Sequence, residues 1–253
     1  MEATKFVDLE TARDREGLRL VVVANIPSPW SEAAKGIFRI KGVPFVAVRL
    51  GPGDGEIRKW TRARNAPVAM YEKEPGRTGW ADILELAERI GQGPSLVPST
   101  PSDRVKMFGL SHELMGEGGL LWSSRLVSID IGLETGGERG FPEPVAGYLG
   151  GRYGYAKLRI PQARARVEQG FALLAEALGG REYYFGDSVT ALDVYSAAAV
   201  NLFALLPEDK CPMWAPIRAA FESTRDEVAP VPATLVAHRD RMYERHLELP
   251  MQL

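Results

Sequence analysis

One cysteine, Cys211, is all the sulfhydryl that this 253-residue chain contains. A lone thiol closes no internal disulfide, and without a CxxC pair it builds no cysteine-rich zinc site. Histidine is nearly as scarce. His238 and His246 lie eight residues apart with no third ligand near them in sequence, so no metal site is expected. Long apolar runs are missing too: Leu18–Ile26 and Ser196–Leu206 fall far short of a membrane span. Glu2, Asp8, Glu10, Asp14 and Glu16 crowd the first twenty residues, which argues against a signal peptide and for a cytoplasmic location. No charge of one sign dominates, with 31 Lys+Arg against 33 Asp+Glu and a net charge of −2. That balance provides no electrostatic footprint for nucleic acid or an anionic membrane. Gly51-Pro52-Gly53-Asp54-Gly55 lacks the Lys-Ser/Thr of a phosphate loop, and no Gly-x-Ser-x-Gly elbow occurs. What remains is an ordinary globular composition, 45% apolar and 25% charged, with length for one large domain or two smaller ones.

Leu18–Ala24 is a β-branched apolar run that predicts a buried strand, ended by the two prolines of Asn25-Ile26-Pro27-Ser28-Pro29. Ser31–Ile40 has helical composition, with Ser28 or Ser31 as its cap and Pro29 suited to a first turn. Phe45–Leu50 follows as a second strand, completing a βαβ unit. A third strand is expected over residues 65–71, and a helix over Thr78–Ile90. Residues 91–101 hold three prolines and two glycines, the best linker in the chain. Beyond it the pattern turns helical, over Ser102–Leu114, Pro161–Leu178, Thr190–Ala204 and Val231–Leu247. Thr190 and Asp193 have the spacing of a capping box, a structural role rather than a catalytic one. The glycine- and aromatic-rich stretch 139–159 carries no assignable pattern. The expected organisation is an α/β unit over 17–91, a linker over 92–101 and an all-helical unit over 102–253.

Four motifs stand in order along this frame: Ser28-Pro29-Trp30-Ser31, Ala66-Pro67-Val68, Trp80-Ala81-Asp82-Ile83, and Gly186-Asp187-Ser188-Val189-Thr190-Ala191-Leu192-Asp193. Together they resemble the glutathione transferase superfamily. The resemblance implies a thioredoxin-like N-terminal domain packed on an all-α helical bundle. Glutathione would lie as co-substrate on the first domain, with a small apolar electrophile in a pocket between the two, and the protein would be a homodimer. It also implies a cis peptide at Ala66-Pro67, with Ala66 offering its backbone to the cysteinyl part of glutathione. Pro29 and Trp30 would flank the same ligand.

The chemistry can be stated independently. A free thiol has an ordinary pKa of about 8.5, so little is thiolate at neutral pH. Lowering it by about two pH units takes about 2.7 kcal/mol of thiolate stabilisation. A hydroxyl and a helix N-terminus can supply that. Ser28 is the expected donor and Ser31 its rival, while either could instead merely cap the helix. The Ser-Pro-Trp-Ser spacing equals that of redox CxxC loops with oxygen in both sulfur positions, so disulfide exchange by this loop is not expected. One departure stands out. Where many family members place Glu-Ser to hold the γ-glutamyl group, this chain has Gly79 and Trp80, with Asp82 and Thr78 as the nearest carboxylate and hydroxyl. Phe108, His112 and Met115 share a helical face and are the candidate electrophile pocket, against the plainer reading of core packing. The leading expectation is a serine-type transferase joining glutathione to an electrophile. The alternatives are a binding or assembly protein on the same scaffold, and a glutathione-dependent isomerase or ether-cleaving enzyme.

Overall fold

The computed structural model describes residues 3–51, 53–224 and 228–253. Its N-terminal part contains helix α1 (Leu9–Asp14), strand β1 (Leu18–Val23), α2 (Pro29–Ile40), β2 (Phe45–Leu50), α3 (Gly55–Thr61), β3 (Val68–Tyr71) and α4 (Trp80–Ile90). The sheet runs β2-β1-β3. β1 pairs parallel with β2, Leu18 opposite Phe45, and antiparallel with β3, Leu18 opposite Tyr71. Side chains alternate across β1, as the period of a strand requires. Leu18, Leu20 and Val22 join the large core shared with the helical part, whereas Val21 joins a second core with Ala12, Val48, Ile57 and Val68.

The segment ahead of β1 is therefore structural. Val7 donates to the Ala47 carbonyl and Ala47 donates to that of Lys5, which covers the outer edge of β2. A single bridge between Ala69 and Arg77 does the same outside β3.

The helical part contains α5 (Pro101–Met115), α6 (Leu120–Glu134), α7 (Glu143–Tyr153), a short 3-10 turn (Lys157–Arg159), α8 (Ile160–Leu178), α9 (Ala191–Phe203), α10 (Ala215–Glu222) and α11 (Ala233–Arg245). α9 is buried at every position but Leu202, the profile of a central helix apolar all round. The capping box at its start is formed as expected. Asp193 accepts from the Thr190 N–H and hydroxyl at 2.8 and 2.7 Å, and further from the Tyr184 N–H. His238 of α11 closes this buried knot, its Nε2 3.0 Å from Asp193 Oδ1.

Element edges depart from expectation for local reasons. α2 begins at Pro29 because Ser28 itself takes the N-cap position. α5 begins at Pro101 because the Thr100 hydroxyl caps it. The stretch 139–159, unassigned from sequence, is largely α7, while α1, α3 and α6 had no expectation at all.

The two parts are pressed closely together. α2 lies against α9, and a Cβ at Gly36 would stand 2.6 Å from a Leu247 methyl carbon and 3.1 Å from one of Val194. A side chain at that position would have to push the Leu247 and Val194 methyl groups aside. The C-terminal tail is bound to the same helix. Glu248 pairs with Arg39 at 2.9 Å and accepts from the Thr4 backbone and hydroxyl, and Lys35 pairs with Glu32 at 2.8 Å and donates to the Gln252 carbonyl. Arg49 packs over the Phe6 ring and donates to the Leu253 carbonyl.

Candidate active site

Ser28 occupies the N-cap of α2 with an extended backbone, yet its hydroxyl makes no bond to the helix's first N–H groups. The side chain is buried at 6% exposure. A hydroxyl at a helix N-terminus that leaves the capping work undone is available to another acceptor. Ser31 is differently placed. It is fully buried, and its hydroxyl accepts from the Val23 N–H at 3.1 Å, tying the end of β1 to the first turn of α2. The phase of α2 turns Ser31 toward the core, where its hydroxyl serves the Val23 N–H.

Ala66-Pro67 is a cis peptide. Pro67 is buried and Ala66 half-buried, and neither backbone polar group of Ala66 has a backbone partner among the described residues. Pro67 meets Trp30, Ala34, Ile37, Trp80, Ile83, Met115 and Tyr195 around a crevice at the domain junction that encloses only about 10 Å³. That is room for at most a single water. The Trp30 indole donates to the Met115 carbonyl at 3.0 Å, which pins the loop after β1 to the end of α5. A larger cavity, of about 380 Å³, lies at another place, between Asn25, Arg49, Trp214 and the C-terminal residues.

Trp80 is the first residue of α4 and packs edge-on against Tyr195, 5.6 Å between ring centres, and against Phe108 at 6.2 Å. It fills the junction where a smaller polar residue would leave a groove. Asp82 is exposed on the first turn of α4 and curls back to the Gly79 cap, its Oδ2 2.6 Å from where a Cβ of residue 79 would stand. A carboxylate there faces the positive end of the helix.

The three pocket candidates on α5 divide. Met115 lines the crevice and Phe108 borders it through Trp80. His112 does not line it. Its side chain is exposed and its ring lies over Gly116 at the helix end, because the inward face of α5 is set by Met107, Ser111 and Leu114. Sequence reasoning missed Arg125 of α6, whose guanidinium lies over the Trp30 ring, and Tyr153 of α7, which packs on that same guanidinium.

Among the described residues no three His, Cys, Asp or Glu side chains gather as metal ligands, and no helix is long and apolar enough to cross a membrane. No protein-family profile matches the chain, and no curated protein matches it by sequence. Solved structures do match. A glutathione S-transferase from Methylobacterium radiotolerans, in complex with glutathione sulfonate, is 15% identical with TM-score 0.59, over 93% of this chain and 97% of that one. A glutathione S-transferase domain-containing protein from Marinobacter aquaeolei is 17% identical with TM-score 0.63, over 90% and 98% of the two chains. A beta-etherase from a Sphingobium strain is 17% identical with TM-score 0.55, over 88% and 99%. With a thioredoxin-like sheet, a cis-proline opening β3 and a capped central helix all in family order, the chain has the glutathione transferase fold.

Proposed function

We propose that this protein is a glutathione-dependent enzyme in which Ser28 stabilises the thiolate of bound glutathione for attack on a small electrophile. The observation that carries this reading is the pairing of two unsatisfied features on neighbouring elements. One is the uncommitted Ser28 hydroxyl at the α2 N-terminus, and the other is the open backbone of Ala66 beside the cis-proline. The first suits a sulfur anion, by hydroxyl donation and helix dipole. The second suits the amide backbone of a cysteinyl residue, as one more rung of antiparallel pairing. Pro29 and Trp30 fix the loop, and Asp82 with the α4 N-terminus is the remaining polar ground for the γ-glutamyl end, shifted from Trp80. Conjugation, isomerisation and ether cleavage all begin with this thiolate, and they separate by whether glutathione is consumed or regenerated. A homodimer in the cytoplasm is part of the same proposal.

The test is calorimetry with reduced glutathione and an S-alkyl glutathione, on the native protein and on Ser28→Ala, with thiolate absorbance recorded across pH. Expected are binding of both ligands to both proteins, and a thiolate signal at neutral pH only in the native protein. The variant's turnover of a model electrophile should fall about a hundredfold. No heat at millimolar glutathione, and no thermal shift, would end the glutathione-dependent reading and leave a scaffold with some other ligand.

A further inference from the structure

Among the described residues most buried or half-buried cations have a carboxylate or carbonyl partner, while Arg125, Arg152 and Arg241 have no carboxylate. Lys35 has Glu32, Arg39 has Glu248, Lys41 has Glu88 and two carbonyls, Arg19 has the carbonyls of Gly17 and Glu72, and Arg239 has Asp240. Arg125 is half-buried, and among the described residues no carboxylate pairs with it. Its guanidinium carbon lies 4.7 Å from the Trp30 ring centre and 4.6 Å from that of Tyr153, which Trp122 in turn meets edge-on at 4.8 Å. Arg152 stands near and also lacks a carboxylate, donating only to the Tyr148 hydroxyl at 2.9 Å. Desolvation pulls the Arg125 pKa down; Tyr153 opposes this and Arg152 adds to it.

Aromatic faces attract a guanidinium, and Tyr153 also hydrogen-bonds it, which leaves its other in-plane N–H donors without an acidic acceptor. A desolvated arginine whose donors lack an acidic acceptor is costly, and a planar carboxylate meets that need with two parallel bonds. Trp30 follows Ser28 by two residues and lines the junction crevice, so Arg125, stacked over the Trp30 ring, stands beside the loop that carries the thiol position.

We infer that Arg125, backed by Trp30 and Tyr153, is a carboxylate-binding position, and that the electrophile bears a carboxylate. The electrophile assignment rests on the glutathione-dependent reading; the anion site does not. The same chemistry could be met by a carboxylate of glutathione itself, which the test separates.

The protein is titrated with phenylbutyrate and with its neutral amide, by calorimetry and by quenching of tryptophan fluorescence. Native protein, Arg125→Met and Arg125→Lys are compared, and glutathione is titrated into each. Expected is a preference for the acid over the amide of at least about tenfold in the native protein. Arg125→Met should abolish it, Arg125→Lys should keep part of it, and glutathione affinity should not change. Equal binding of acid and amide, or a preference that survives Arg125→Met, overturns the site. Loss of glutathione binding in Arg125→Met with no acid preference assigns the arginine to glutathione and overturns the substrate class. An acid preference in a protein that binds no glutathione supports the anion site while removing the glutathione-dependent reading. If Arg125→Met fails to fold, the loss of acid preference in high salt and its partial retention in Arg125→Lys decide the question.

Discussion

Tyr195, in the middle of the buried central helix, donates its hydroxyl proton across the domain boundary to the backbone carbonyl of Trp80, 3.1 Å away. The bond joins α9 to the first residue of α4, so the indole that closes the junction is held both by ring packing and by its own main chain. Burial also pushes the Tyr195 phenol far above its ordinary range, which makes it a neutral donor at every working pH.

Trp80→Ala should therefore have two opposed effects. It removes the edge-on contact with Tyr195 and the contact with Phe108, and a half-buried indole of this kind is worth about 2–3 kcal/mol. The melting temperature should fall by several degrees in a thermal scan. The crevice beside Pro67 should widen at the same time, so S-alkyl glutathiones with bulky tails should bind the variant better relative to native protein than short-tailed ones do. An unchanged tail preference would show that the indole is not what limits the space.

Asp193→Ala should be far more damaging than its distance from the site suggests. The carboxylate satisfies the N–H groups of Thr190 and Tyr184, the Thr190 hydroxyl and His238, all in the interior. Leaving those donors unpaired should cost about 3 kcal/mol or more. Denaturant unfolding should show this as a lowered midpoint, with Asp193→Asn intermediate.

Glu248→Gln should loosen the C-terminal tail from α2. Its carboxylate serves Arg39, the Thr4 backbone and the Thr4 hydroxyl at once, and Lys35 lies 3.9 Å away. Neutralising it leaves two buried cations sharing Glu32, so a loss of about 2–4 kcal/mol is expected. Hydrogen exchange should localise the loosening to the α2 surface and residues 247–253.

Cys211 should be inert in the folded protein. The thiol is fully buried and burial pushes its pKa up, so the thiolate fraction stays below that of a free thiol at any pH near neutrality. Labelling by a thiol-specific disulfide reagent should be slow at pH values where free cysteine reacts at once, and should become complete on denaturation. Fast labelling of native protein would contradict the packing around this residue.

Much of the frame could be read from residue types. The β-branched run of β1, the prolines after it and the Thr190/Asp193 spacing each act locally, and the structure follows them. α6 could not be read so. Leu120, Leu121, Val127, Ile129 and Ile131 are buried on several faces at once, which erases the 3.6-residue period that marks a helix. α3 hides in a glycine-rich loop for a related reason, being too short for a period to show.

Which way the candidate site's side chains face could not be read from sequence. Ser28 and Ser31 are equivalent in a string of letters, and only the phase of α2 turns one to the helix end and the other to the Val23 N–H. Arg125 gave no signal at all. Its meaning comes from Trp30 and Tyr153, which lie far from it in sequence and reach it only in the folded chain.

The glycine at position 36 sets how closely the two parts approach. With the α2 backbone seated directly on Val194 and Leu247, and the C-terminal tail strapped across the same helix, there is no lubricating layer of long side chains to let the two halves slide or swing. On the reading proposed above, a ligand at the junction is expected to be admitted by side-chain rotation at Trp30, Trp80 and Phe108 rather than by a shift of α2 against α9.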